Sequence, residues 1–120
     1  MHGVPADLDL SRYIGSSLIW IGLCEFQICF DFMREGGDPP GITVEGAWQL
    51  RDSSNNLIDQ ATENRVRESY RLHKLLGRTV TSSSVDAPLS FSLTFDDGHR
   101  LEIFDDSTQY ESFSIGDIIV

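Results

Sequence analysis

The sequence predicts an α+β domain, with a largely antiparallel sheet from two related hairpin units and one main helix packed on it. Three observations carry that prediction. Apolar residues alternate with period two at Phe26, Ile28, Phe30 and Phe32, at Ile42, Val44, Trp48 and Leu50, and at Leu89, Phe91, Leu93 and Phe95. Successive side chains of a strand point to opposite faces, so this is the pattern of strands with one face on a core and the other in water. From Glu63 to Leu76 a helical period replaces it, and Gly-, Pro-, Asp- and Asn-rich punctuation separates the runs.

Taken in order, residues 1–13 read as a loose N-terminal segment of a single domain spanning 1–120. The first unit is a strand over 24–32, a loop over 33–41 containing Gly36-Gly37-Asp38-Pro39-Pro40, and a strand over 42–51. Pairing Phe32 with Ile42 sets Phe30 against Val44 and Phe26 against Trp48, which puts every large apolar residue on one face. Residues 52–60 are turn-rich. In the helix predicted over 63–76, Thr62 caps the start and Gly77 closes the end. Its apolar side holds Val66, Ser69, Tyr70, Leu72, His73 and Leu76, with Arg67, Arg71 and Lys74 opposite. Ser82-Ser83-Ser84 reads as a polar turn before Pro88 and lacks the strand-to-helix elbow of a nucleophilic serine.

The second unit is a hairpin whose register can be argued. A two-residue Asp97-Gly98 turn would set Leu93 opposite Glu102 and split the apolar sets between faces. A three-residue loop, Asp96-Asp97-Gly98 with Gly98 left-handed, instead pairs Phe95 with His99, Leu93 with Leu101 and Phe91 with Ile103. Strands over 110–115 and 118–120 follow. Gly22 and Gly77 each follow an apolar doublet ahead of a paired-strand unit, which suggests a duplication.

Length and charge narrow the function classes. The 120 residues suffice for one core without staples. The net charge is −10, from 19 acids against 9 bases, which disfavours attraction to phosphate backbones and anionic lipid. Nucleic acid and membrane are therefore excluded as expected partners. The apolar stretch 18–23 is far short of the ~20 residues that span a bilayer, and no basic leader precedes it, so the chain reads as cytoplasmic. Cys24 and Cys29 stand five apart on what reads as one strand, pointing to opposite faces, and suit a reducing compartment as unpaired thiols.

Three stretches carry a resemblance: Val44-Glu45-Gly46-Ala47-Trp48-Gln49-Leu50-Arg51-Asp52, Leu75-Leu76-Gly77, and 104–115 with Tyr110-Glu111-Ser112-Phe113. Through Val-Glu-Gly-x-Trp and Tyr-Glu-Ser-Phe the chain resembles a family of small uncharacterised bacterial proteins known only as a domain of unknown function. The resemblance covers most of the chain from about residue 18. It implies a bacterial origin and transfers no functional residue.

Among candidate sites, Asp96, Asp97, His99, Glu102, Asp105 and Asp106 have the donor types of a cation or hydrolytic site, but the hairpin register puts them at opposite ends of a strand. Neither a metal nor a cofactor is expected. Trp48 and Trp20 read as core aromatics, and His73 as a core-edge histidine. Between helix and sheet, Trp48, Tyr70 and His73 would line a pocket if the chain bound a small ligand or acted as an enzyme. The leading expectation is a non-catalytic acidic protein-binding domain, of the type of an immunity factor masking a basic enzyme, or a homodimer. Its partner-facing residues would be Glu102, Asp105, Asp106 and Glu111. The open edge expected for dimerisation is the last run, 110–120, which has no Lys or Pro to blunt it. A structural subunit of a larger assembly is the third alternative.

Overall fold

A computed structural model describes residues 3–25, 27–61, 71–105, 113–116 and 118–119. Their strands form two five-stranded antiparallel sheets. The first runs β1 (Ser17–Leu23), β2 (Ile28–Met33), β3 (Ile42–Val44), β9 (Phe113–Ile115), β10 (Ile118–Ile119). The second runs β5 (Leu57–Ala61), β4 (Trp48–Arg51), β8 (Arg100–Phe104), β7 (Ser90–Phe95), β6 (Val80–Asp86).

The expected α+β architecture is thereby corrected: what covers the first sheet is a second sheet, and no main helix stands among the described residues. Thr62 and residues 63–70 of the expected helix lie outside the described residues. Its remainder is one 3-10 turn, Leu72–Leu75, after which Leu76 is already extended. With three residues per turn, Leu72 and Leu75 share the buried side and His73 and Lys74 face out. Segments that the alternation pattern did not mark supply the missing strands. β6 carries Val80, Ser83 and Val85 inward, but its period is broken by a bulge at Thr81, which hides it among hydroxyl residues. Ser82, Ser83 and Ser84 are accordingly strand residues and not a turn.

The two hairpin units also differ from the expected symmetry. Residues 42–51 are two strands in two sheets, joined by Glu45-Gly46-Ala47, so Val44 and Trp48 flank a crossover. Pairing of β2 with β3 is displaced by two residues from the expected register, with Phe30 opposite Ile42 and Ile28 opposite Val44. Parity is preserved, so the same side chains face inward. Phe32 instead pairs with Leu18 of β1, and Phe26 lies outside the described residues. Cys24 stands in the β1–β2 turn and Cys29 in β2, both free thiols. In the second unit the three-residue loop holds as expected. Leu93 pairs with Leu101 and Phe91 with Ile103, Phe95 N–H donates to His99 O at 2.8 Å, and Gly98 has φ +88°. An added Cβ on Gly98 would stand 2.5 Å from Ser53 Cβ, because this turn packs on the β4–β5 turn.

One core lies between the sheets, with Phe91 of the second meeting Phe113 of the first edge to face at 4.8 Å. The N-terminal segment is not loose: Val4, Leu8, Leu10 and Tyr13 are buried in this core. Gly3 N–H donates to Asp105 Oδ2 at 2.7 Å and Val4 N–H to Pro88 O at 2.9 Å. Farther along, Tyr13 packs on Phe32 and its hydroxyl donates to Pro40 O at 2.6 Å. Burial lifts the Tyr13 phenol far above its ordinary value, so it remains a donor.

The sheets are stitched along one side. Val80 N–H donates to Ser16 O, Gly15 N–H to Val80 O, Leu18 N–H to Arg78 O and Gly77 N–H to Leu18 O, at 2.7–3.0 Å. This ladder runs from β6 onto β1 and ends at Gly77, whose φ of +82° turns the chain away toward the 3-10 turn.

Candidate functional site

Where the ladder ends, no described strand continues beside β1 on that side. In an antiparallel pair the residues alternate between exchanging both backbone bonds with the partner and pointing those groups the other way. Cys24 N–H donates to Gln27 O at 2.9 Å, which fixes the phase: Gly22 and Trp20 face β2, while Ile21 and Leu23 turn their N–H and C=O groups outward. Among the described residues nothing bonds those outward groups. A bulge at Ile19 separates this open stretch from the stitched part.

The open edge is flanked by apolar side chains. Ile19 is 49 % exposed, Trp20 51 % and Leu23 68 %, with exposed Leu76 beside the point where the ladder stops. Trp20 is thus corrected from core to surface: it stands on the face opposite Ile21, and its ring lies over Gly22, where a Cβ would come within 2.9 Å of the ring's Cζ2. No charged residue occurs between Ser16 and Cys24. The sequence carried a signal for this. A strand can bury only alternate residues, so the unbroken run Leu18-Ile19-Trp20-Ile21-Gly22-Leu23 must present some apolar side chains outward.

The acidic residues sit differently. Glu102 faces outward from β8, as parity requires, but its carboxylate lies between two arginines: Oε1 accepts from Arg51 Nε at 3.3 Å and from Arg100 Nη2 at 2.8 Å. Only 19 % of that side chain is exposed. Asp105 holds the N-terminal segment through Gly3, and Asp106 and Glu111 lie outside the described residues. The expected pocket is not assembled either. Trp48 is sealed in the core and His73 is exposed on the 3-10 turn, while Tyr70 lies outside the described residues.

At the β7–β8 turn the acids serve the turn. Asp97 Oδ1 accepts the His99 backbone N–H at 3.0 Å, and Oδ2 approaches His99 Nδ1 at 2.8 Å and Arg78 Nε at 3.5 Å. Asp52, in the neighbouring turn, is held below the ordinary carboxylate value, chiefly by the Asn56 backbone N–H, against desolvation and with help from Ser54 and His99. No three His, Cys, Asp or Glu side chains among the described residues are grouped to hold a metal ion. No helix among them is long and apolar enough to cross a membrane. Compared with protein-family models, curated proteins and solved structures, the chain matches none.

Proposed function

We propose that this chain is a non-catalytic protein-binding domain of the cytoplasm that engages its partner along the open part of β1. The observation that carries the reading is the pair of outward-facing backbone positions at Ile21 and Leu23, unbonded among the described residues and set among exposed Ile19, Trp20 and Leu23. Unpaired strand edges recruit another strand through main-chain bonds, and flanking side chains supply selectivity. The acidic patch is a weaker anchor for a basic partner, because the Glu102 charge is already engaged by Arg51 and Arg100.

A photo-crosslinking residue at Leu23, with Ser82 on the outer face of the second sheet as control, tests this in the source cell. The expected result is a discrete protein adduct from position 23 that disappears when Ile19→Lys is added and does not form from position 82. Absence of any adduct at 23, or equal adducts from both positions, overturns the reading.

A further inference from the structure

We infer that the occupant of the open β1 edge is a second copy of this chain, docked antiparallel across a two-fold axis at Gly22. The inference rests on the protein-binding reading and deepens it by naming the partner. Two features of the edge select a copy of itself.

The first is self-complementarity. A two-fold axis makes an interface isologous, so each residue must meet a suitable equivalent. With the axis at Gly22, Ile21 falls opposite Leu23 of the partner subunit and Leu23 opposite the partner's Ile21. Those are the positions whose N–H and C=O groups point outward, and facing residues of that type exchange both bonds. All the open groups of both copies are satisfied in one step. At the axis two glycines meet, so neither strand sets a side chain of its own against the other there, and on the outer face Trp20, whose ring lies over Gly22, comes beside Cys24 of the partner subunit.

The second is charge. A molecule of net charge −10 repels its own kind over most of its surface. The stretch from Ser16 to Cys24 carries no charge, so two copies can pair Trp20 to Cys24 without setting like charges opposite one another. The partner strand would continue the ladder that β6 abandons at Gly77, extending across the two copies the sheet that the seam already begins. Exposed Ile19 and Leu23 would be covered at its rim.

Analytical ultracentrifugation of the purified full chain, with Leu23→Pro as the variant, tests the inference. The Leu23 N–H faces away from β2 and its side chain is exposed, so proline removes an inter-copy bond while sparing the bonds within the sheet. The weight-average mass is expected to rise from 13.5 kDa toward twice that value across the micromolar range. Leu23→Pro should weaken association by about ten-fold or more, while its melting temperature equals that of the wild type at concentrations low enough to keep both monomeric.

Register is read separately. Facing residues of the non-hydrogen-bonded type have Cα atoms about 4.5 Å apart, within disulfide range. Trp20→Cys should therefore form a covalent dimer through Cys24 on mild oxidation, and Cys24→Ser in that background should abolish it. A chain that stays at 13.5 kDa at every concentration overturns the inference. So does a dimer indifferent to Leu23→Pro, or a disulfide that survives Cys24→Ser. If the chain is monomeric yet position 23 still crosslinks to a different protein, only the second copy fails and the binding reading stands.

Discussion

The β7–β8 and β1–β2 hairpins share the same raw material and end in opposite situations. In β7–β8, Phe91, Leu93 and Phe95 face inward opposite Ile103, Leu101 and His99, and the outward positions are Ser90, Ser92, Thr94, Arg100, Glu102 and half-buried Phe104. Both outer edges are covered, by β6 and β4. In β1–β2 the inward set is equally apolar, with Leu18, Ile28, Phe30 and Phe32, but β1 also carries exposed Trp20 outward and, among the described residues, leaves an edge open beyond Leu18. The first hairpin leaves none of its apolar strand residues exposed, since even outward Phe104 is half-buried. The second has a surplus, and a surplus on an open edge is the mark of a binding surface.

The sharpest way to break this contrast is to truncate an aromatic in each hairpin. Phe91→Ala removes a ring fully buried against Phe113 and should cost about 3–5 kcal/mol of stability. Trp20→Ala, a larger truncation at a half-exposed site, should cost about 0.5 kcal/mol or less. Urea denaturation monitored by circular dichroism gives both values. Comparable losses would mean that Trp20 belongs to the core and that β1 has no surplus.

Next in size is Glu102→Lys. With Arg51 and Arg100 both on the Glu102 carboxylate, the reversal crowds three cations onto the outer face of the second sheet. It should destabilise by about 1–2 kcal/mol, less at high salt, and Glu102→Gln should recover about half of that. A reversal with no cost would return Glu102 to the status of a free surface charge.

These two cases show where the sequence was legible. Strand parity is a local property, and it placed Phe91, Leu93, Leu101 and Ile103 inward and Glu102 outward. Parity cannot say what a side chain meets laterally, so Arg51, which reaches Glu102 from the β4 position opposite Arg100, was invisible. Helical periodicity over 63–76 was overridden in its described part because Leu72 and Leu75 satisfy a 3-10 turn as well as an α-helix. The exposed edge at β1 depends on where the β6 ladder stops. That is a long-range event set by Gly77 and Leu18, 59 positions apart by subtraction. The N-terminal segment hides in the same way: Val4, Leu8 and Leu10 have no strand period, yet each finds the core.

Tyr13→Phe sharpens the comparison on the β2 side at smaller scale. The ring would still pack on Phe32, but Pro40 O would lose the hydroxyl donor that fastens the N-terminal segment to the β2–β3 loop. A loss of about 1 kcal/mol is expected. Amide exchange should quicken around residues 39–42 and leave β7–β8 unchanged. Uniform acceleration across both sheets would show that the segment is part of the global cooperative unit and no local clasp.

The smallest expected effect is a pH dependence at the β4–β5 turn, which packs against the β7–β8 turn through Ser53 and Gly98. The Asp52 carboxylate accepts the Ser54 and Asn56 backbone N–H groups, each at 2.9 Å, and these bonds favour its ionised form. Its folded value is therefore below the ordinary 3.8, so the unfolded chain binds the proton more readily. Stability contributed by Asp52 is fully present above the ordinary value and drains away as pH falls through it toward the lower folded value. The wild-type denaturation midpoint should accordingly decline more steeply below about pH 4 than that of Asp52→Asn, which has no charge to lose. The two curves should converge at the acid end. Because the group is exposed, the divergence above pH 4 should be small but resolvable in parallel titrations. Parallel curves at all pH values would show that the turn is set by its backbone geometry alone, and that the closure of the β7–β8 end owes nothing to Asp52.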